Sequence, residues 1–156
     1  MTDIKVLAQS YRDATAAFLA AVAHVDDSNI DTKHPDGWSA RQVVHHVADS
    51  EAQSYARLRR LLAEPGSVIQ GYDEDAWAKH PKLGYETLPI DHALAVFTAV
   101  RAASADLLDG LEPADLELHG MHTERGRITV MDWLQTYSNH PREHAEQLVK
   151  AVQRQA

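Results

Sequence analysis

Cysteine is absent from the 156 residues. That removes disulfides, thiolate metal ligands and a thiol nucleophile supplied by the chain itself, and it suits a reducing cytosol. Basic residues are in the minority, 15 lysines and arginines against 23 aspartates and glutamates, for a formal charge of −8. With no basic run to track a phosphate backbone, nucleic acid is not an expected partner. No apolar run approaches the ~20 residues that cross a bilayer, so no membrane span is expected. Met1-Thr2-Asp3-Ile4 enters an amphipathic pattern directly, without a basic leader, so no signal peptide is expected either. Strand-type alternation is missing as well. What remains is the expectation of a cytoplasmic, all-α chain forming one domain over residues 1–156.

Four segments carry a three-four apolar repeat. The first runs from about Asp3 to Val25, with Ile4, Leu7, Tyr11, Ala14, Phe18, Val22 and Val25 on one face. The second, near 39–63, opens on Ser39 as N-cap with Gln42 completing a capping box, and Trp38 placed to staple onto Val43. Its inward line is Val43, Val47, Ser50, Ser54, Leu58 and Leu61, and Glu64-Pro65-Gly66 ends it. The third, near 89–109, begins at Pro89 and stops at Gly110. The fourth, near 129–154, is capped by Thr129 with Asp132, and Ile128 can staple onto Trp133. Together they predict a four-helix bundle without a sheet. Between the second and third helices lies a long connection, Val68 to Leu88, long enough to run back along the second helix and return the third parallel to it. It contains Gly71-Tyr72-Asp73-Glu74-Asp75-Ala76-Trp77, either a solvated acidic turn or a lid that brings polar groups to a site. Leu111 to Arg127 reads as a second irregular stretch, with His119 and His122 as surface histidines.

The fourth segment concentrates the chemistry. His140 and His144 are one helical turn apart and fall within its inward stripe, where an aliphatic residue would pack better. Two core histidines hydrogen-bonded to neighbouring helices would explain this, and so would a divalent metal. His46 lies at the edge of the inward face of the second helix, whereas His45, about 100° round, points to solvent or a neighbouring helix end. If His46, His140 and His144 converge, they leave one open position on tetrahedral zinc, or up to three on an octahedral ion such as nickel. Pro141 breaks the local rule. It removes the bond to the Tyr137 carbonyl and predicts a kink there, or two shorter helices meeting at 140/141.

Three stretches resemble the DinB-like superfamily: Gly37-Trp-Ser-Ala-Arg-Gln-Val-Val-His-His-Val-Ala-Asp-Ser50, Gly71-Tyr-Asp-Glu-Asp-Ala-Trp-Ala78 and Asn139-His-Pro-Arg-Glu-His144. They are most similar to the branch that holds metal-dependent hydrolases and bacillithiol S-transferases, and the likeness covers about Trp38 to Leu148. The resemblance implies an up-down-down-up four-helix bundle with His46, His140 and His144 as metal ligands and His45 excluded. Proline after the first histidine of the pair departs from the expected glycine. On this basis the chain is expected to be a metal-dependent enzyme that ionises a small-molecule thiol for transfer to an electrophile. A hydrolase using water at the same position is the alternative. A third possibility is a non-catalytic bundle that binds metal or a small molecule and pairs as a homodimer through an exposed helix face. Asp49, one turn beyond His46, is a candidate partner for a ligand imidazole. Tyr72, Asp73 and Trp77 are candidates for closing the pocket.

Overall fold

The computed structural model describes residues 3–154, so the Met1-Thr2 start on which the absence of a leader was read lies outside them. Four long helices dominate: α1 (Ile4–Val22), α2 (Ala40–Ala63), α4 (Asp91–Leu108) and α5 (Val130–Val152), with a six-residue α3 (Glu74–Lys79) in the long connection. The caps read from sequence form as expected. Gln42 N donates to Ser39 Oγ and Ser39 N to Gln42 Oε1. Thr129 and Asp132 make the same reciprocal pair ahead of α5. Two boundaries differ. α1 stops at Val22 rather than Val25, because His24 and Val25 bond three residues back and Asn29 ties the His24 carbonyl at 2.9 Å. α4 starts at Asp91, two residues after Pro89.

The core lies in two apolar clusters that fix the helix directions. One holds Ala8 and Tyr11 of α1, Leu58 and Leu61 of α2, Ala105 and Leu108 of α4, and Val130, Trp133 and Leu134 of α5. The other holds Phe18 and Ala21, Val43 and Val47, Phe97, and Ala145 and Leu148. At one end, therefore, the starts of α1 and α5 meet the finishes of α2 and α4, and at the other the finishes of α1 and α5 meet the starts of α2 and α4. This is the up-down-down-up arrangement, with α2 and α4 parallel. Among the described residues no helix is long and apolar enough to cross a membrane.

The expectation of no sheet is overturned. β1 (Val68–Ile69), β2 (His119–His122) and β3 (Gly126–Thr129) form a three-stranded sheet in that order, β1 parallel to β2 and β2 antiparallel to β3. Strands of two and four residues are too short to display a period of two, and glycine interrupts β2 and opens β3. Gly120 is required by close approach: a Cβ there would lie 2.9 Å from the Ser67 carbonyl oxygen. The sheet joins the two irregular connections and sets the position of Tyr72, since Gly71 N donates to Thr123 Oγ1 at 2.9 Å.

Between the clusters sits a layer that sequence periodicity did not show. Arg101 of α4 and Glu51 of α2 are both wholly buried and paired at 3.2 Å. Arg101 also donates to Thr15 Oγ1 (2.8 Å) and to the carbonyls of Tyr11 (2.6 Å) and Tyr137 (2.7 Å). Its guanidinium stacks over the Tyr11 ring. The Tyr137 bond explains Pro141. Proline cannot supply the N–H that this carbonyl would normally receive, and Arg101 supplies it instead. Helix α5 accordingly runs unbroken across Pro141, which corrects the reading of two helices meeting there.

Removing the guanidinium would leave the buried Glu51 carboxylate without its counter-charge and the Tyr137 carbonyl without the donor that replaces the missing N–H of Pro141. Arg101→Met is expected to cost about 3–5 kcal/mol in urea unfolding, and Arg101→Met/Glu51→Met to recover much of that loss. A single-variant cost below about 1 kcal/mol would show that the layer is not a stabilising element.

Candidate metal centre

His46 projects from α2 in the turn after its capped start, and its imidazole lies edge-on to Trp38 with ring centroids 5.2 Å apart. His140 and His144 project from α5, one turn apart. Their side chains meet tip to tip: His144 Nε2 lies 3.2 Å from His46 Nε2 and 3.0 Å from His140 Nε2. All three donor atoms fall within 4.8 Å of one another. Of the sequence-predicted residues, these three are the ones the fold brings to a point.

The donor chemistry suits a cation. His144 Nδ1 lies 2.7 Å from Gln147 Oε1. An amide oxygen only accepts, so Nδ1 carries the proton and Nε2 presents a single lone pair. In a purely hydrogen-bonded cluster both other histidines would have to donate to that one lone pair. A cation at the meeting point instead receives one lone pair from each ring. Two of the three nitrogen–nitrogen separations, 3.0 and 3.2 Å, lie between the edges of about 2.9 Å (octahedral) and about 3.4 Å (tetrahedral) drawn with ordinary metal–nitrogen bonds, and the third is within 4.8 Å. The three residues fit a divalent metal.

Burial keeps them neutral. It is the largest cause of the depression of His46 to about 4, with His144 adding to it. Burial likewise takes His140 down to about 3, helped by His144 and His46 and then by Arg101 and Arg125. His144 is lowered by burial, against the opposing effects of Gln147, Glu74 and Glu143.

The other expected residues take different places. Asp49 accepts from the Tyr85 hydroxyl at 2.6 Å; the side chain hydrogen-bonded to a site imidazole is Gln147. Gln147 stands three residues after His144, a spacing that could have revealed it. Tyr72 packs on Trp77 with ring centroids 4.7 Å apart, and its hydroxyl is buried close to Ser50. Burial and then the Glu74 carboxylate raise its pKa above the ordinary phenol value. Asp73 caps α3 by accepting from Ala76 N at 2.9 Å. Of the two places expected for His45 it takes the neighbouring helix end and not solvent: it is buried, 3.0 Å from the Leu88 carbonyl just ahead of α4, and stacks on Tyr85. His122 is not a surface histidine either. It is 6% exposed, and its Nδ1 accepts from Glu124 N and Arg125 N. That placement depends on the sheet, which is why the sequence did not disclose it.

A family model described as the DinB superfamily matches residues 10–148. This chain belongs to the DinB superfamily. A protein of Bacillus mycoides named "Putative metal-dependent hydrolase" is 33% identical over 147 residues, 94% of this chain and 83% of that one. One of the same description from Oceanobacillus iheyensis is 33% identical over 134 residues, 85% of this chain and 76% of its own length. The solved structure of YfiT from Bacillus subtilis superimposes with a TM-score of 0.85 at 29% identity, covering 97% of this chain and 86% of YfiT. YfiT is described as a probable metal-dependent hydrolase with an unusual four-helix bundle topology. The bundle of this DinB superfamily chain is of that kind.

The depressed values set a pH window. A ligand imidazole must be neutral, and these remain so well below 6.5. Metal should be retained on dialysis down to about pH 5 and released as pH falls through about 4. In the metal-free protein the unfolded histidines bind protons first, so stability should also decline as pH drops from about 6.5 towards 4. Equal metal content after dialysis at pH 3 and pH 8 would exclude these histidines as ligands.

Proposed function

We propose that this chain is a metal-dependent enzyme in which His46, His140 and His144 hold a divalent cation, zinc or nickel, and in which the nucleophile is a low-molecular-weight thiol taken from solution. The observation that carries the reading is the convergence of three neutral imidazoles, which fill only three positions of a four- or six-coordinate ion. Such an ion, when bound, ionises a coordinated thiol or water at neutral pH. The chain's own residues orient and dry the site. Gln147 fixes the His144 tautomer, Trp38 walls His46, and the Tyr137 ring lies 6.2 Å edge-on from His140. Tyr72, which follows the sheet-anchored Gly71, and Trp77, which packs on its ring, close the pocket. Asp73 serves by capping the turn that holds Trp77.

The thiol reading comes first because it asks least of the surroundings. No carboxylate is hydrogen-bonded to a site imidazole among the described residues, and Asp49 is committed to Tyr85. Hydrolysis is the second reading. It is favoured by the names of the relatives and by Glu74, whose charge reaches both His144 and Tyr72 and could draw a proton from water.

Elemental analysis of the purified protein should find one of these metals. Conjugation of monochlorobimane with a panel of thiols then separates the readings. Turnover with a thiol supports transfer, ester hydrolysis without thiol supports the second reading, and metal without either would mean a binding bundle. His46→Ala, His140→Ala and His144→Ala should each abolish activity and sharply weaken metal binding while helical content stays near wild type. His45→Ala should keep the metal and lose about 1–2 kcal/mol of stability with its bond to Leu88. Loss of metal from His45→Ala and its retention in His46→Ala would contradict the assignment.

A further inference from the structure

Helix α2 carries a buried histidine that the metal centre does not use. The side chain of His45 is only 9% exposed, and its Nε2 lies 3.0 Å from the Leu88 carbonyl. A carbonyl only accepts, so Nε2 carries the ring's proton and Nδ1 presents a lone pair. That lone pair meets no donor among the described residues. Nor is it sealed in: the enclosed ring nitrogens without a partner are those of His46 and His140. A polar atom so placed calls for a donor that the fold does not supply.

His45 opens onto a cleft of about 490 Å³ between α2 and the start of α4, a volume suited to a small molecule. Its walls are largely apolar. Ala48 lies on the α2 side, with Leu88, Ala93 and Val96 opposite, and Leu88 and Val96 remain 49% and 41% exposed. Its charged groups are two carboxylates. Asp49, one turn after His45, gives Oδ2 to the Tyr85 hydroxyl at 2.6 Å and has Oδ1 unengaged among the described residues. Asp91, in the first turn of α4, forms no ion pair among them. No lysine or arginine lines the cleft, and His92 stands at its exposed rim. Two features of opposite sign lie near. Arg41 donates to the same Leu88 carbonyl, but both oxygens of Asp31 engage it. The other is the N-terminus of α4, whose partial positive charge Asp91 offsets.

We infer that this cleft is a second ligand site, separate from the three-histidine centre, and that it binds a small organic ammonium ion with an apolar body. The ammonium complements the two carboxylates and supplies the N–H that His45 Nδ1 lacks. The hydrocarbon covers Leu88 and Val96. A bare divalent ion suits the cleft less well, because among the described residues the ligating side chains that converge closely enough to hold one are His46, His140 and His144. The two adjacent histidines of α2, about 100° apart round the helix, thus serve different sites. The inference stands independently of the metal-dependent activity.

The test titrates the protein as purified with 2-phenylethylammonium, with 2-phenylethanol as its uncharged counterpart, following the ring-proton resonances of His45. The ammonium should bind at least about ten-fold more tightly than the alcohol and move those resonances. Asp49→Asn, whose amide oxygen still accepts from Tyr85, and Asp91→Asn should each bring the two affinities closer together. Val96→Lys, at an exposed position, places a competing ammonium in the cleft and should do the same. Circular dichroism checks that each variant is folded. Equal affinities in the wild type, or a preference that survives both asparagine variants, overturns the site. His144→Ala should leave the affinity unchanged; loss of binding there would make the amine a ligand of the metal centre and overturn the cleft. Zinc titrated into His144→Ala supplies the last arm. If zinc moves the His45 resonances and displaces the ammonium, the cleft is an inorganic cation site and the organic ligand falls.

Discussion

A guanidinium withdrawn from water must find a partner for its charge and acceptors for its N–H groups, and Arg101 finds them on every other long helix. Tyr11 and Thr15 come from α1, Glu51 from α2 and the Tyr137 carbonyl from α5, while Arg101 itself belongs to α4. The desolvation this demands is large, so the pair is weak evidence for net stability taken alone. Its value is geometric. The apolar clusters on either side could slide and still bury their area, but a directional network cannot. The histidines sit on two of the helices it joins, so the convergence of their nitrogens depends on that fixed arrangement.

The same polar layer shapes the electrostatics of the centre. Ser50, Ser54, Ser104 and Ser138 are buried along with Glu51 and Arg101, so the middle of the bundle is polar and yet nearly closed to water. In such surroundings an uncompensated charge is expensive, and the imidazoles respond by staying neutral. Neutral rings are what a metal needs, so burial prepares the ligands before any ion arrives. The sheet contributes at the outer edge. By pairing a two-residue strand with a hairpin distant in sequence, it turns two loose connections into one body and gives Tyr72 and Trp77 a defined place.

Periodicity and capping made most of the bundle legible. Ser39 with Gln42 and Thr129 with Asp132 mark two helix starts because a capping box is a local device, complete within four residues. His140 and His144 were legible for the same reason, and His46 through its place on the inward face. What stayed hidden is non-local. Glu51 and Arg101 look like solvent-facing charges until their helices are docked. His122 looks like a loop residue until β1 pairs with β2. Asp49 looked like a partner for an imidazole because it lies one turn from His46, yet the Tyr85 hydroxyl, from a loop whose path no local pattern gives, claims it. Pro141 announces a missing bond by its own chemistry, but the compensating donor, Arg101, comes from a different helix.

That compensating bond also acts as a register pin. An α-helix advances about 1.5 Å and turns about 100° with each residue, so a slip of one position would carry the Arg101 side chain off the Tyr137 carbonyl and away from Glu51 at once. Packing surfaces made largely of alanine, leucine and valine would tolerate such a slip far more readily than a single vacated carbonyl does. With the N–H missing at position 141, α5 accepts this particular helix at this particular height. A residue that removes a bond from its own helix thereby sets the axial alignment of its neighbour.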